Sequence, residues 1–267
     1  MIVGGVLVLD GAKGSSAQST PYGSSDPAGR PQATHPALAA SKPSPTPGPG
    51  DTSHPDSKDE SGTPRKQLPG ERDQPPVVRV PQAAKGRYSV VQGTARPPKK
   101  SHGKVIRYMV EVEKGLPFEK EAFAAAVHRT LNDPRSWGSG GRLRFKRVDH
   151  GPVRFRVALS SPAMTNARCL PMSTYGELSC WNGRQAVINA KRWGQGIPGY
   201  RGDLASYREY VINHEVGHAL GHGHEFCPGP GRRAPVMVQQ TISLQRCRPN
   251  AWPFRNARTP ESASADR

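Results

Sequence analysis

Between Lys104 and Glu113 the side chains alternate, with Ile106, Tyr108, Val110 and Val112 on one side and Val105, Arg107, Met109 and Glu111 on the other. The stretch predicts a strand with one strongly apolar face. Arg87 to Val91 reads as a shorter strand before it. From Glu119 to Leu131 the period changes: Phe123, Ala126, Val127 and Leu131 recur at helical spacing, and Asn132-Asp133-Pro134 stops the helix. Period two returns in Leu143 to Val148 and in Val153 to Leu159, and the turn-forming Asp149-His150-Gly151-Pro152 between them predicts a hairpin. Another strand is expected over Gln185 to Trp193, centred on Val187 and Ile188. Asp203 then stands where it can cap a long helix from Leu204 to Leu220. This order lacks a repeated strand-helix-strand unit, so it predicts an α+β fold: a twisted mixed sheet with a backing helix and a second, longer helix.

The pattern stops upstream of Gly86. Residues 1 to 85 hold 14 of the 28 prolines and a single aromatic residue, Tyr22, which is too little to build a core. From Asp10 to Pro81 the chain reads as a disordered, semi-extended tether, with Ser-Lys-Pro-Ser-Pro-Thr-Pro-Gly-Pro-Gly at 41 to 50. The folded domain is expected over 86–257, with a disordered tail at 258–267. Ile2 to Leu9 is apolar, but no basic residue precedes it and it is too short to span a bilayer. It is read as the remnant of a membrane anchor or signal whose true start lies upstream.

Charge and cysteines add a location. Of 38 Lys and Arg and 21 Asp and Glu, 29 and 13 lie beyond residue 85, so the folded part is basic and attracts polyanions. No nucleic-acid-binding motif accompanies the charge, so a specific nucleic-acid partner is not expected; an anionic cell-envelope polymer is the candidate partner. Cys169, Cys180, Cys227 and Cys247 form no C-x-x-C pair, and an even count fits two disulfides in an oxidising compartment, with three pairings open. The sequence-local pairing joins Cys169 to Cys180 and Cys227 to Cys247. Secretion or anchoring at the cell surface follows, as a monomer.

The candidate chemistry lies in His214-Glu215-Val216-Gly217-His218-Ala219-Leu220-Gly221-His222-Gly223-His224. His214 and His218 fall one helical turn apart on one face, so two imidazoles reach one ion, while Glu215 is rotated roughly 100° to stand beside it. Gly221 can take positive φ, end the helix and fold the chain back so that His224 becomes a third ligand. Three nitrogens leave a fourth position open, the mark of catalytic rather than structural zinc. His222 points to another azimuth and is expected in solvent; Asn213 and Gln239 are candidates to support the ligands or simply surface groups.

This motif resembles that of the metzincin clan of zinc endopeptidases. Met237, in Ala234-Pro235-Val236-Met237-Val238-Gln239, stands 13 residues past His224 and resembles the methionine of the clan's turn beneath the metal. The span from Gly86 to Phe254 is also similar to a family of uncharacterised secreted zincin-like proteins of actinobacteria. That likeness runs through Phe123-Ala124-Ala125-Ala126-Val127, Asp133-Pro134-Arg135-Ser136-Trp137, Val187-Ile188-Asn189-Ala190, Tyr210 to His222 and Cys227-Pro228-Gly229-Pro230-Gly231. The resemblance implies a metzincin-like fold and one catalytic Zn2+ on His214, His218 and His224. It implies peptide hydrolysis with Glu215 as general base, on a peptide or protein substrate paired along an edge strand, here Gln185, Ala186, Val187, Ile188, Asn189 and Ala190. The chain departs from better-known subfamilies at Glu225, which follows the third ligand, and in having no tyrosine after Met237, so transition-state help from a tyrosine is not expected, although Tyr200, Tyr207 and Tyr210 are nearby in sequence. A non-catalytic zinc module that binds anionic envelope polymers, or a peptidoglycan amidase or peptidase, are the alternatives.

Overall fold

The computed structural model describes residues 73–98 and 103–255. The tether up to residue 72, the apolar start and the 258–267 tail lie outside them. Six strands form one mixed, open sheet: β1 (Tyr88–Val90), β2 (Lys104–Glu113), β3 (Leu143–Arg147), β4 (Phe155–Ser160), β5 (Cys180–Trp181) and β6 (Gln185–Asn189). The helices are α1 (Lys120–Leu131), α2 (Pro162–Cys169), α3 (Ala190–Gln195) and α4 (Leu204–Ala219). The fold is α+β, as the hydrophobic periods require.

The inner sheet face is the apolar one. Ile106, Tyr108, Val110 and Val112 of β2, Phe155, Val157 and Leu159 of β4 and Ile188 of β6 are buried with Phe123, Val127 and Leu131 of α1 and Tyr207, Val211 and Val216 of α4. Each large side chain buried there contributes about 1.5–3 kcal/mol. The opposite face of β2 is not uniformly exposed: Met109, Glu111 and Glu113 are buried as well. Buried carboxylates require partners. Arg156 and Gln185 hold Glu111, and the backbone N–H groups of Gly86 and Ser161 donate to Glu113 at 3.0 and 2.7 Å.

Leu143–Val148 and Val153–Leu159 do not form a hairpin. Both strands run parallel to β2, β3 along Lys104–Tyr108 and β4 along Tyr108–Val112. Val148 N–H donates to the Tyr108 carbonyl and Arg154 N–H to that of Arg107. Neighbouring carbonyls of a strand point to opposite sides, so the loop crosses β2 and continues in the same direction rather than reversing. Its turn residues are genuine, but a bend does not say which strand will pair with which.

Three further expectations change. The strand expected over Gln185–Trp193 ends at Asn189, whose side chain accepts from Lys191 N–H at 3.0 Å and caps α3. α2 was not foreseen, although Ser161 caps it and Pro162 opens it, a recognised start signal. Residues 73–85, assigned by composition to the linker, lie along the domain as a strap. Gln74 accepts from Ala205 N–H at the start of α4, Val78 N–H donates to Gly194 O and Gln82 O accepts from Ala163 N–H. Gly194 has no room for a Cβ, which would strike the Val78 carbonyl. A strap stabilised by backbone bonds to scattered elements has no hydrophobic period to betray it.

Candidate metal centre

α4 begins as expected, with the Asp203 side chain accepting from Ser206 N–H at 3.0 Å. It ends in a Schellman turn: Gly221 sits at φ +99°, His222 N–H donates to Gly217 O and Gly221 N–H to His218 O, both at 3.0 Å. The returning chain places the His222 carbonyl 2.8 Å from Nδ1 of His218. The helix cap thereby orients the His218 ring. His222 itself is exposed and stacks on Trp137, ring centroids 4.2 Å apart.

His214, His218 and His224 converge, one ring nitrogen of each lying within 4.8 Å of the others. His214 donates from Nδ1 to the Val236 carbonyl at 2.9 Å and His218 from Nδ1 to His222, which leaves Nε2 of each as a free acceptor. Nε2 of His218 and Nε2 of His224 stand 3.1 Å apart. Two nitrogens bound tetrahedrally to one ion at about 2.1 Å are separated by about 3.4 Å, so the spacing is close to that of a shared cation. Burial pushes the His214 imidazole down to about 3, and lowers His218 and His224 as well, favouring the neutral form that ligates. The cluster could hold a metal ion.

Glu215 is buried beside the cluster and makes no ion pair among the described residues. Desolvation alone pushes its carboxyl up to about 8. A cation on the three nitrogens favours its ionised form and draws that value back down.

Met237 is fully buried in the turn after the ligand loop. Gly217, between His214 and His218, has no room for a Cβ, which would stand 2.5 Å from Met237 Sδ and 2.8 Å from the Trp137 ring. The same turn supplies the Val236 carbonyl to His214 and the Met237 carbonyl to Glu225 N–H at 3.0 Å, directly after His224. It therefore positions the His214 ring and the loop that carries His224.

A cleft of about 370 Å³ opens over His214, Glu215, His218 and His224, walled by Met172–Thr174, Leu178–Trp181, Gln239, Thr241 and Ile242. Gln239 reaches this cleft, whereas Asn213 is buried away from it, accepting from Ser136 Oγ and donating to Ala251 O. Tyr210 also lines the cleft, its ring centroid 5.4 Å from that of His214, but among the described residues no tyrosine hydroxyl is bonded to the three histidines. Tyr210 is tied to Val238 O and Gln240 N–H, Tyr200 to Gln240 and Asn250, and Tyr207 to Thr241.

The strand beside the cleft is not Gln185–Ala190. β6 lies between β4 and β5, and Ala190 already belongs to α3. The edge is the two-residue β5, antiparallel to β6 and joined to α2 through the Cys169–Cys180 disulfide. Asn182 N–H donates to Gln185 O, so Cys180 and Val187 are the next hydrogen-bonded pair and the N–H and C=O of Trp181 point outward. A Ser-Cys-Trp-Asn stretch this short carries no period that could have revealed a strand. The second disulfide joins Cys227 to Cys247 and closes the segment that follows His224. Both bridges follow the sequence-local pairing.

The fold and this cluster define an α+β domain with a three-histidine cluster that could hold a metal ion. The chain belongs to the family described as Protein of unknown function (DUF3152), whose model matches residues 74–248. That span starts at the strap and includes all three histidines. No curated protein matches the chain.

Proposed function

We propose that the domain is an extracytoplasmic zinc endopeptidase of metzincin type. One observation carries the reading: three neutral imidazole nitrogens converge beside a buried, unpaired carboxylate at the floor of an open cleft, with no fourth ligand in the cluster among the described residues. That donor set suits zinc and leaves a coordination position for a reactant. A zinc ion held there supplies Lewis acidity, polarising a peptide carbonyl and acidifying water.

The chain's own groups supply the rest. Glu215 takes the proton of the attacking water and delivers it to the leaving amine. The outward backbone groups of Trp181 pair with an extended peptide laid along β5, and Met172, Leu178 and Ile242 flank it with apolar surface. The two disulfides support a location outside the cytoplasm, and among the described residues no helix is long and apolar enough to cross a membrane.

The test is an unbiased peptide library offered to the wild type and to Glu215→Ala, with zinc content measured in both. Cleavage should fall by about 10²–10⁴-fold while zinc is retained. Equal cleavage by the two proteins, or none by a zinc-loaded wild type, would overturn the reading.

A further inference from the structure

The outer face of the sheet is covered unevenly. α2 packs over β4, β5 and β6, where Cys169, Cys180 and Val187 form a small apolar cluster. Over β3 and the first half of β2 the face is open, and Val105 is 40% exposed there.

Register gathers charge on this open half. Lys146 lies beside Arg107 across the β3–β2 ladder. Arg154, one residue before β4 and bonded through its N–H to the Arg107 carbonyl, continues the row on the other side. With strands about 4.8 Å apart, three positive side chains occupy roughly 10 Å of one surface row. Arg144 and Arg156 lie two residues away from Lys146 and Arg154, on the same face. Of the acids near the row, Glu111 is already engaged by Arg156 at 3.0 Å and by Gln185, and Asp149 by Gly93 N–H and the His150 ring. Among the described residues the Arg107 guanidinium donates to the His150 carbonyl at 3.3 Å, and Arg107, Lys146 and Arg154 form no ion pair.

Like charges side by side on neighbouring strands destabilise a sheet. Uncharged polar residues would serve the fold better at these positions, so the row calls for a ligand. The surface is flat rather than concave, which suits a chain of repeated charges rather than one small anion. Guanidinium groups match phosphate oxygens in planar, two-pronged fashion. Among the described residues the rings at this face are Tyr88, half-buried under Arg168 at the far end of β2, and the exposed His150 beside Arg107, which do not form a platform of successive rings on which bases could stack. We propose that Lys146, Arg107 and Arg154 form a binding row for a linear phosphate-bearing polymer of the cell envelope. The row lies on β3, β2 and the approach to β4, away from the β5 edge that borders the cleft, and its function is independent of the metal site.

The probe is long-chain inorganic polyphosphate, titrated into the full chain at several salt concentrations. Arg107→Gln, Lys146→Gln and Arg154→Gln combined should weaken binding about a hundredfold at 0.1 M salt and lower the salt slope by about 2. The exposed Arg87, Arg184 and Arg232, replaced together by Gln, remove the same net charge and should leave affinity within about threefold. Equal losses in both triples would mean diffuse attraction and overturn the row. Polyglutamate bound as tightly as polyphosphate would overturn the phosphate assignment. If the row triple melts early, Arg154→Gln alone, at the strand's approach, should still cost about fivefold; no loss would refute the proposal.

Discussion

The three histidines are held in two different ways. His214 and His218 are presented one turn apart by α4, and each has its second nitrogen engaged by a backbone carbonyl. His224 is exposed, on an irregular segment, and its loop depends on the Glu225–Met237 backbone bond and on the Cys227–Cys247 bridge that follows. Half of the site is thus built by local helical geometry. The other half waits on contacts between segments distant along the chain.

The largest effect that separates the halves is ligand loss. His214→Ala should reduce zinc affinity by more than about a hundredfold, measured by competition with a chelator, because a ligand outweighs the 10–100-fold typical of its supporting partners. His224→Ala should lose less, since the preorganised helical pair remains. Equal losses would refute the distinction.

Next come the disulfides. Closing loops of 11 and 20 residues, each stabilises by about 3 kcal/mol on the loop-entropy account. Melting should report similar costs for paired Cys→Ser changes at either bridge. Zinc affinity should fall for Cys227 with Cys247 and hold for Cys169 with Cys180, because only the former bridge closes the segment after a ligand. The reverse ranking would contradict the loop's role.

Gly221→Ala should have the smallest effect on stability, about 1–2 kcal/mol by chemical denaturation, from forcing a Cβ into positive φ. It should also reduce zinc affinity about tenfold, because the turn delivers the His222 carbonyl to His218. Lost stability with unchanged zinc affinity would show that the cap does not orient the ligand.

The helical half was legible in the chain because its information is periodic. The bounds of β2, α1 and α4, the Asp203 cap and the Gly221 stop are all local preferences that survive folding. The support of the site was not legible. Asn213 is by sequence a candidate to support the histidines or a surface group, yet its amide secures Ser136 and Ala251, and the carbonyl that orients His214 belongs to Val236, 22 residues away. Backbone groups are the same at every position, so a sequence cannot announce which carbonyl will be used.

By itself, the sequence determined the hydrophobic faces, the helix that carries two of the three clustered histidines and the chemical identity of the cluster, because side-chain period and residue type act over a few neighbours. Tertiary structure alone decided that β3 and β4 flank β2 in parallel, that β5 rather than β6 forms the edge beside the cleft, and that Lys146, Arg107 and Arg154 share a row. Those outcomes depend on pairing register between distant strands, where a shift of one residue would turn each side chain to the opposite face.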